Sequence, residues 1–276
     1  MSTRRIITGL ATLALATFTA GAQKVPLHAA VTNPILNEYG APLAKPQGEL
    51  VQFLYVNSGV QPPAVDGQPH PNNPVVYTSR IGNGMGRADS EGKFSAAITP
   101  RPGGPIIARV FNAPTLEEAS FYADSQPFTP LQDRTIFYPV LNATTNPLDS
   151  ADDDGDGVHN SWEKSLGSDR NNPDTDGDGV PDGHEFRAGT GLTDADSFLA
   201  MVRLMPQPGG HLRVEWDAVP GKSYQVQFAA GDLAAPDLVF SNVNAVITAA
   251  QADTHTTMTN GTSMPLGVFR VRLVDD

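Results

Sequence analysis

The first part of the chain, residues 31–141, alternates short apolar runs with turn-forming residues. The runs GELVQFLYVN, VVYTSRIG, GKFSAAIT, PIIARVFNA and TIFYPVL have the length of strands and are separated by segments rich in Gly, Pro and Asn. They predict an N-terminal β domain over residues 23–145, built as a sandwich or barrel. In the stretch APTLEEASFY, Thr115 and Glu118 have the spacing of a capping box next to Pro114, which predicts one short helix.

The last part, residues 198–276, repeats the strand pattern in the runs FLAMVRLM, HLRVEWD, SYQVQFA, LVFSNVNAVITA, THTTMTN and GVFRVRLV. Trp216 and Tyr224 have the alternating neighbours of half-buried strands, so we expect both rings to lie in a core. The stretch VEWDAVPGKSYQVQF and the terminal FRVRLV are similar to fibronectin type III and immunoglobulin-like modules. That resemblance implies a C-terminal β-sandwich. The fold class expected for the chain is therefore mainly β, with two sandwich-like domains joined by the segment between them.

The N-terminal residues have the three parts of a secretion signal. MSTRR is basic, IITGLATLALATFTA is apolar but short for a bilayer span, and Ala20, Gly21 and Ala22 offer small residues for cleavage. The pattern predicts a signal peptide over residues 1–22 and a mature chain that begins at Gln23 without a transmembrane segment. We therefore expect a secreted protein, extracellular or held at the cell surface.

The middle segment, residues 146–197, has no apolar runs and carries most of the charge. The chain has a formal charge of 18 − 30 = −12, and residues 149–196 hold 14 Asp or Glu against only Lys164, Arg170 and Arg187. This balance argues against nucleic acid and anionic lipid as main partners. The chain has no cysteine, so a disulfide cannot stabilise it outside the cell, and a structural metal is one alternative.

The acidic residues form two copies of one pattern, DDDGDGVHNSWE at residues 152–163 and DTDGDGVPDGHE at residues 174–185. Ca²⁺ takes six to eight oxygen ligands, which such a loop supplies from positions 1, 3, 5, 7, 9 and 12, with glycine at position 6. The predicted ligands are Asp152, Asp154, Asp156, the Val158 carbonyl, Asn160 (directly or through a water) and Glu163 in the first loop, and Asp174, Asp176, Asp178, the Val180 carbonyl, Asp182 and Glu185 in the second. The pattern therefore predicts two Ca²⁺ sites.

A solvated acidic linker and a Mg²⁺ site both fit the acidic pattern less well than a Ca²⁺ site does. A linker would need neither the glycine at position 6 nor the glutamate at position 12. Mg²⁺ dehydrates reluctantly and rarely occupies an all-protein cage. The 22-residue register that relates Asp152 to Asp174 continues to Asp196, which we predict as the first metal ligand of a third copy that breaks off at Phe198.

Helices are expected only after each loop. Pro147, Gly167 and Pro173 interrupt the segments before the loops, while NSWEKSL, closed by Gly167, and GHEFRA, closed by Gly189, can each form a short outgoing helix. The stretch DTDGDGVPDGHEFRAGTGLTDADS resembles the bacterial form of the thrombospondin type 3 repeat, over residues 149–197. The resemblance implies a calcium-wrapping segment with little apolar core, placed between domains of secreted proteins. A dockerin is the alternative, and it would imply a cohesin partner.

No catalytic motif is complete. Gly82, Gly84 and Gly86 lack dinucleotide-binding spacing, there is no G-x-S-x-G, and the six histidines lack zinc-ligand spacing. We therefore expect a non-catalytic calcium-binding structural or adhesion protein, in which Ca²⁺ makes the spacer between two β domains rigid. Its partners would be an extracellular glycan or a surface or matrix protein. The alternative is a polysaccharide- or peptide-binding accessory module or a hydrolase, with its site in the N-terminal domain, where the Pro-rich residues 58–74 form a long loop.

Overall fold

The computed structural model describes residues 27–30, 33–43, 48–83, 91–98, 104–129, 136–137, 139–231, 238–258 and 267–274. The predicted signal peptide, residues 1–22, lies outside these ranges. The described chain consists mainly of antiparallel strands with two short helices, so the prediction of a mainly β fold is confirmed. It divides into two compact units, Met1–Asn146 and Pro147–Asp276.

The first unit contains two sheets. Its strands are β1 (Leu27–Ala30), β2 (Leu50–Tyr55), β3 (Val75–Arg80), β4 (Ser95–Ile98), β5 (Ile106–Phe111), β6 (Phe121–Asp124), β7 (Ile136–Phe137) and β8 (Asn146–Pro147), where the chain leaves the unit. One sheet has the order β3-β2-β5-β6-β8 and the other β4-β1-β7. Phe53 of β2, Val110 of β5 and Phe94, just before β4, share one core, so the two sheets pack as a sandwich.

The Pro-rich loop of residues 58–74 joins β2 to β3 and is held against the unit by buried polar groups. Asn73 is fully buried, donates to Tyr55 O at 3.0 Å and accepts from Gln61 N at 2.8 Å. Arg109, on β5, donates to Gln61 O at 2.8 Å. Every residue of β2 and of β5 is buried. The loop predicted as a ligand site is therefore anchored to the unit at Gln61 and Asn73, while most of its residues are exposed.

The prediction of a helix in APTLEEASFY is wrong. Thr115 and Glu118 do make the capping contacts, with Glu118 N 3.3 Å from Thr115 Oγ1 and the hydroxyl 2.9 Å from Glu118 Oε2. The chain nevertheless forms only a turn, because the N–H groups of Ser120 and Phe121 both donate to Asn112 Oδ1, at 2.9 and 3.0 Å. This side-chain acceptor turns the backbone into β6, which begins at Phe121.

The second unit begins with the acidic segment and ends with another sandwich. Its elements are α1 (Asn160–Leu166), α2 (Asp182–Ala188), β9 (Met201–Gln207), β10 (His211–Asp217), β11 (Ser223–Ala230), β12 (Ser241–Asn242), β13 (Ile247–Thr248), β14 (Asp253–Met258) and β15 (Gly267–Leu273). One sheet has the order β14-β10-β9, and in the other β11 pairs with β12, β13 and β15. Trp216 and Tyr224 are both buried with ring centroids 5.8 Å apart, which confirms them as core residues.

The acidic segment packs on the β-sandwich that follows it. Lys222 Nζ donates to Arg187 O at 2.6 Å, and a Cβ on Gly189 would lie 3.1 Å from Val219 Cγ1. Composition predicts residues 146–197 as a separate segment between two β domains, whereas the contacts group it with the second β domain. Neither α1 nor α2 is long and apolar enough to cross a bilayer, and the same holds throughout the described part of the chain.

Candidate metal centres

The first acidic loop folds around its own carboxylates. Asp152, Asp154 and Asp156 each place a carboxylate oxygen within 4.8 Å of the other two. Gly155 N and Gly157 N donate to the two oxygens of Asp152, at 2.8 and 3.1 Å, and Asp156 N donates to Asp154 Oδ1 at 3.2 Å. The loop thus holds three like charges at a spacing that is unfavourable unless a cation lies between them.

The second loop repeats these hydrogen bonds 22 residues further along the chain. The carboxylate oxygens of Asp174, Asp176 and Asp178 again lie within 4.8 Å of one another. Gly177 N and Gly179 N donate to Asp174 at 2.9 and 3.0 Å, and Asp178 N donates to Asp176 Oδ1 at 3.1 Å. The sequence repeat is therefore also a repeat of backbone conformation.

A buried glutamate follows each aspartate triad. Glu163 and Glu185 are both 0% exposed. Within the described part of the chain, neither oxygen of Glu163 has a hydrogen-bond partner, and Glu185 Oε2 has none. The buried Oδ2 atoms of Asp154 and Asp176 are likewise without a partner there. Buried carboxylates are normally paired or bound to a metal, so these orphaned oxygens fit a cation in each loop.

The electrostatics of the two glutamates agree with that assignment. Burial, reinforced by the neighbouring aspartates, raises the pKa of Glu163 from its usual value to about 7. Burial also raises the pKa of Glu185 to about 7, although a hydrogen bond from Thr190 acts in the opposite direction and lowers this pKa. Without a cation, each loop favours a protonated glutamate; a bound divalent ion would favour the charged form instead.

Hydrogen bonds also fix the residues at positions 7 and 9 of each loop. Val158 N and Val180 N each donate to the aspartate at position 5, at 2.7 Å, which fixes the residues whose carbonyls are the predicted ligands. Asn160 Oδ1 accepts from Asp153 N at 3.3 Å, and the two oxygens of Asp182 accept from Thr175 N and Oγ1 at 2.8 and 2.7 Å. The side chains at position 9 thus brace the second residue of their loop, and they lie outside the aspartate triads.

Asp196, the predicted start of a third copy, lies apart from both triads. Its side chain is exposed, and its N–H donates to Asp194 Oδ1 at 3.2 Å. The two triads are the clusters of possible metal ligands found across the described residues, and Asp196 belongs to neither. Asp196 therefore lies in a turn and outside the metal-ligand clusters of the described residues.

Both outgoing helices form as the sequence predicts. His159 precedes α1 and accepts from Trp162 N through Nδ1 at 3.3 Å, and Gly167 ends it with φ +85°. Gly189 ends α2 with φ +78°. The rings of Trp162 and Phe186 lie 5.2 Å apart, so the two helices pack on each other.

Two groups that shape the loops are not predicted by the repeat pattern. Arg170 pairs with Asp149 at 3.5 Å and also with Asp153, holding the start of the first loop. Gly183 N donates to Asp156 Oδ2 at 2.7 Å and so joins α2 to the first loop. A glycine in the first turn of a helix is locally unfavourable, which is the signal that could have drawn attention to Gly183.

Comparison with known proteins does not assign the chain to a family. No family model matches the chain, and no curated protein matches it. Among solved structures, the chain is similar to one titled "Biofilm associated protein - BSP domain", with 11% sequence identity and a TM-score of 0.25. The match covers 94% of this chain and 50% of that one, so this chain spans about half the length of that structure. A TM-score of this size carries no inference about function.

Proposed function

We propose that this protein is a secreted or cell-surface structural protein in which Ca²⁺ makes the acidic segment between its β domains rigid. The observation that carries the proposal is the pair of fully buried glutamates, Glu163 and Glu185, each beside an aspartate triad and each with an orphaned oxygen. A structural protein of this kind serves adhesion or matrix assembly. Its partner would be an extracellular glycan or a surface or matrix protein, and we propose no catalytic role.

Ca²⁺ is the ion that the donor set favours. Each loop offers carboxylate oxygens from three aspartates and one glutamate, with no sulfur or imidazole among them. Hard oxygen donors suit Ca²⁺ and Mg²⁺, and a loop that supplies most of the coordination from the protein suits Ca²⁺. Extracellular calcium modules commonly bind with dissociation constants of about 10⁻⁴ to 10⁻³ M, and we expect affinities in that range or tighter.

Local structure within the acidic segment supplies little stability of its own. The two helices have seven residues each, below the length at which a helix persists alone. Residues 149–196 carry 14 acidic against three basic side chains, and their repulsion opposes a compact form. Two Ca²⁺ ions would cancel four of these charges and join distant loop positions, so metal binding would be coupled to ordering of the segment.

The chelation experiment tests this role directly. With a calcium chelator, the circular dichroism of the β-sandwiches should stay nearly unchanged, because each has its own apolar core. The segment near Gly167 and Gly189 should become sensitive to protease, and the small-angle scattering profile should change. Asp154→Asn with Asp176→Asn, in the presence of calcium, should reproduce the chelated behaviour. Unfolding of both sandwiches on chelation, or no change in proteolysis and scattering, would contradict the proposal.

A further inference from the structure

One hydrogen bond crosses from the second metal loop to the first. Gly183 lies at position 10 of the second loop, in the first turn of α2, and its N–H donates to Asp156 Oδ2 at 2.7 Å. The other oxygen of Asp156, Oδ1, accepts from Val158 N at 2.7 Å. The carboxylate at position 5 of the first loop is therefore oriented by both loops, and α2 supplies one of its two donors.

The close approach at this point requires glycine. A Cβ on Gly183 would lie 2.1 Å from Asp156 O and 2.9 Å from the carbonyl carbon, well inside the separation that non-bonded atoms tolerate. The backbone of Gly183 has ordinary helical geometry, so left-handed φ does not account for the residue. Helix propensity also opposes glycine here, since alanine is the better helix former. The contact with the first loop is the remaining physical reason for glycine.

The link is not part of the repeated pattern. The residue that corresponds to Gly183 in the first loop is Ser161, whose N–H donates to Asp149 O at 3.1 Å, just before its own loop. The contact therefore joins two sites that each copy of the repeat would otherwise build alone. The packing of Trp162 on Phe186, at 5.2 Å, supports the same junction between the two helices.

We infer that the two metal loops bind Ca²⁺ with positive cooperativity, transmitted through the contact between Gly183 and Asp156. This inference rests on the proposed function and assigns a regulatory contact to its two sites. An ion in the second loop binds Glu185 and so fixes α2, which holds the Gly183 N–H where it orients Asp156. An ion in the first loop fixes Asp156 and so favours the same position of α2. Such coupling is reciprocal by thermodynamic linkage.

Calcium titration calorimetry on the full chain tests the coupling. Asp176→Asn empties the second loop, and Asp154→Asn empties the first. In the parent chain, emptying either loop should weaken calcium binding at the other by at least about fivefold. In the Gly183→Ala background the same changes should weaken it by less than about twofold. His184→Ala, an exposed change in the same helical turn, is the matched control and should leave the coupling as in the parent.

Each outcome decides a different point. Two ions that bind the parent independently, or coupling that persists in Gly183→Ala, would overturn the inference and leave the proposed function standing. No calcium uptake by the parent would overturn the proposed function itself. If Gly183→Ala does not fold, the comparison of Asp176→Asn with the parent still measures the coupling. In Asp176→Asn, the amide resonance of Gly183 should shift when calcium fills the first loop, and an unchanged resonance would contradict the contact.

Discussion

The orphaned carboxylate of Glu163 should contribute to stability with opposite signs in the presence and absence of a bound metal. Its side chain is 0% exposed and unpartnered within the described chain, so its charge is costly in the absence of a cation. In chelator near pH 8, Glu163→Gln should stabilise the second unit by about 1–3 kcal/mol, because it removes a buried charge. In calcium the same change should weaken the first site.

The control for this prediction is Asp196→Asn, since Asp196 is exposed and outside both triads. It should alter neither the calcium affinities nor the melting temperature in chelator. Thermal unfolding followed by circular dichroism, with and without calcium, measures both variants. Destabilisation of the chelated protein by Glu163→Gln would contradict the account of this residue as an unpaired buried charge.

The same glutamates predict opposite pH dependences for the two forms. Burial and neighbouring aspartates raise the pKa of Glu163 and of Glu185 to about 7, above the usual 4.5. In chelator, the stability contributed by the protonated glutamates is fully present below pH 4.5 and is lost as the pH rises through about 7. Calcium needs the charged form, so its affinity at each loop should fall by about tenfold per pH unit below 7.

Calorimetric titrations at several pH values, in buffers of different ionisation enthalpy, check this dependence. Below about pH 7, proton release should accompany calcium binding, and above about pH 8 it should vanish. A calcium affinity that stays constant across this range and down to about pH 5 would show that the glutamates do not titrate against the metal.

At the scale of single residues, the clustering of the aspartates with a fixed position in the repeat could be predicted from sequence. The two triads converge as their spacing indicates, and the glutamates at position 12 are buried. The contacts of Asn160 and Asp182 could not be predicted in this way, because a side chain at position 9 can bind an ion and also accept a loop N–H, and both side chains accept a loop N–H. Gly183 could not be placed either, since its partner lies 27 residues away.

At the scale of elements, the end of α1 depends on a single glycine. Gly167 N and Ser168 N both donate to Glu163 O, at 2.7 and 3.0 Å, and Gly167 has φ +85° with open space where a Cβ would lie. Gly167→Ala should therefore destabilise α1 by about 1 kcal/mol through backbone strain alone. The calcium affinity of the first loop should fall with it, because Glu163 belongs to the same helix.

Amide hydrogen exchange in calcium measures this effect. Protection should decrease over α1 and stay unchanged over β2 and β5 of the first unit, which serve as the internal control. Ser165→Ala, in the body of α1, is the matched substitution and keeps the capping glycine. Equal effects of the two variants would contradict the role given to Gly167.

Most strands and helices could be predicted from the sequence, but one predicted helix does not form. β2 and β5 follow from their apolar runs, and α1 and α2 follow from their glycine caps. The capping box at Thr115 did not give a helix, because Asn112 Oδ1 accepts the N–H groups that lead into β6. A local signal of this kind is overridden when a buried strand follows immediately.

At the scale of the whole molecule, apolar patterning predicts two β bodies, each with its own core. It does not predict that the acidic segment belongs with the second body. That grouping depends on contacts such as the one from Lys222 Nζ to Arg187 O, at 2.6 Å, which no repeat or run in the sequence signals. We therefore expect calcium to stabilise the β-sandwich of the second unit as well as the acidic segment packed on it.

The stoichiometry of calcium binding tests the central claim most directly. In calorimetric titration, the parent chain should bind two Ca²⁺ ions at its two loops. Asp154→Asn and Asp176→Asn should each remove one ion, and the double variant should bind none at either loop. An unchanged stoichiometry in both single variants would contradict the assignment of the loops as calcium sites, and with it the proposed function.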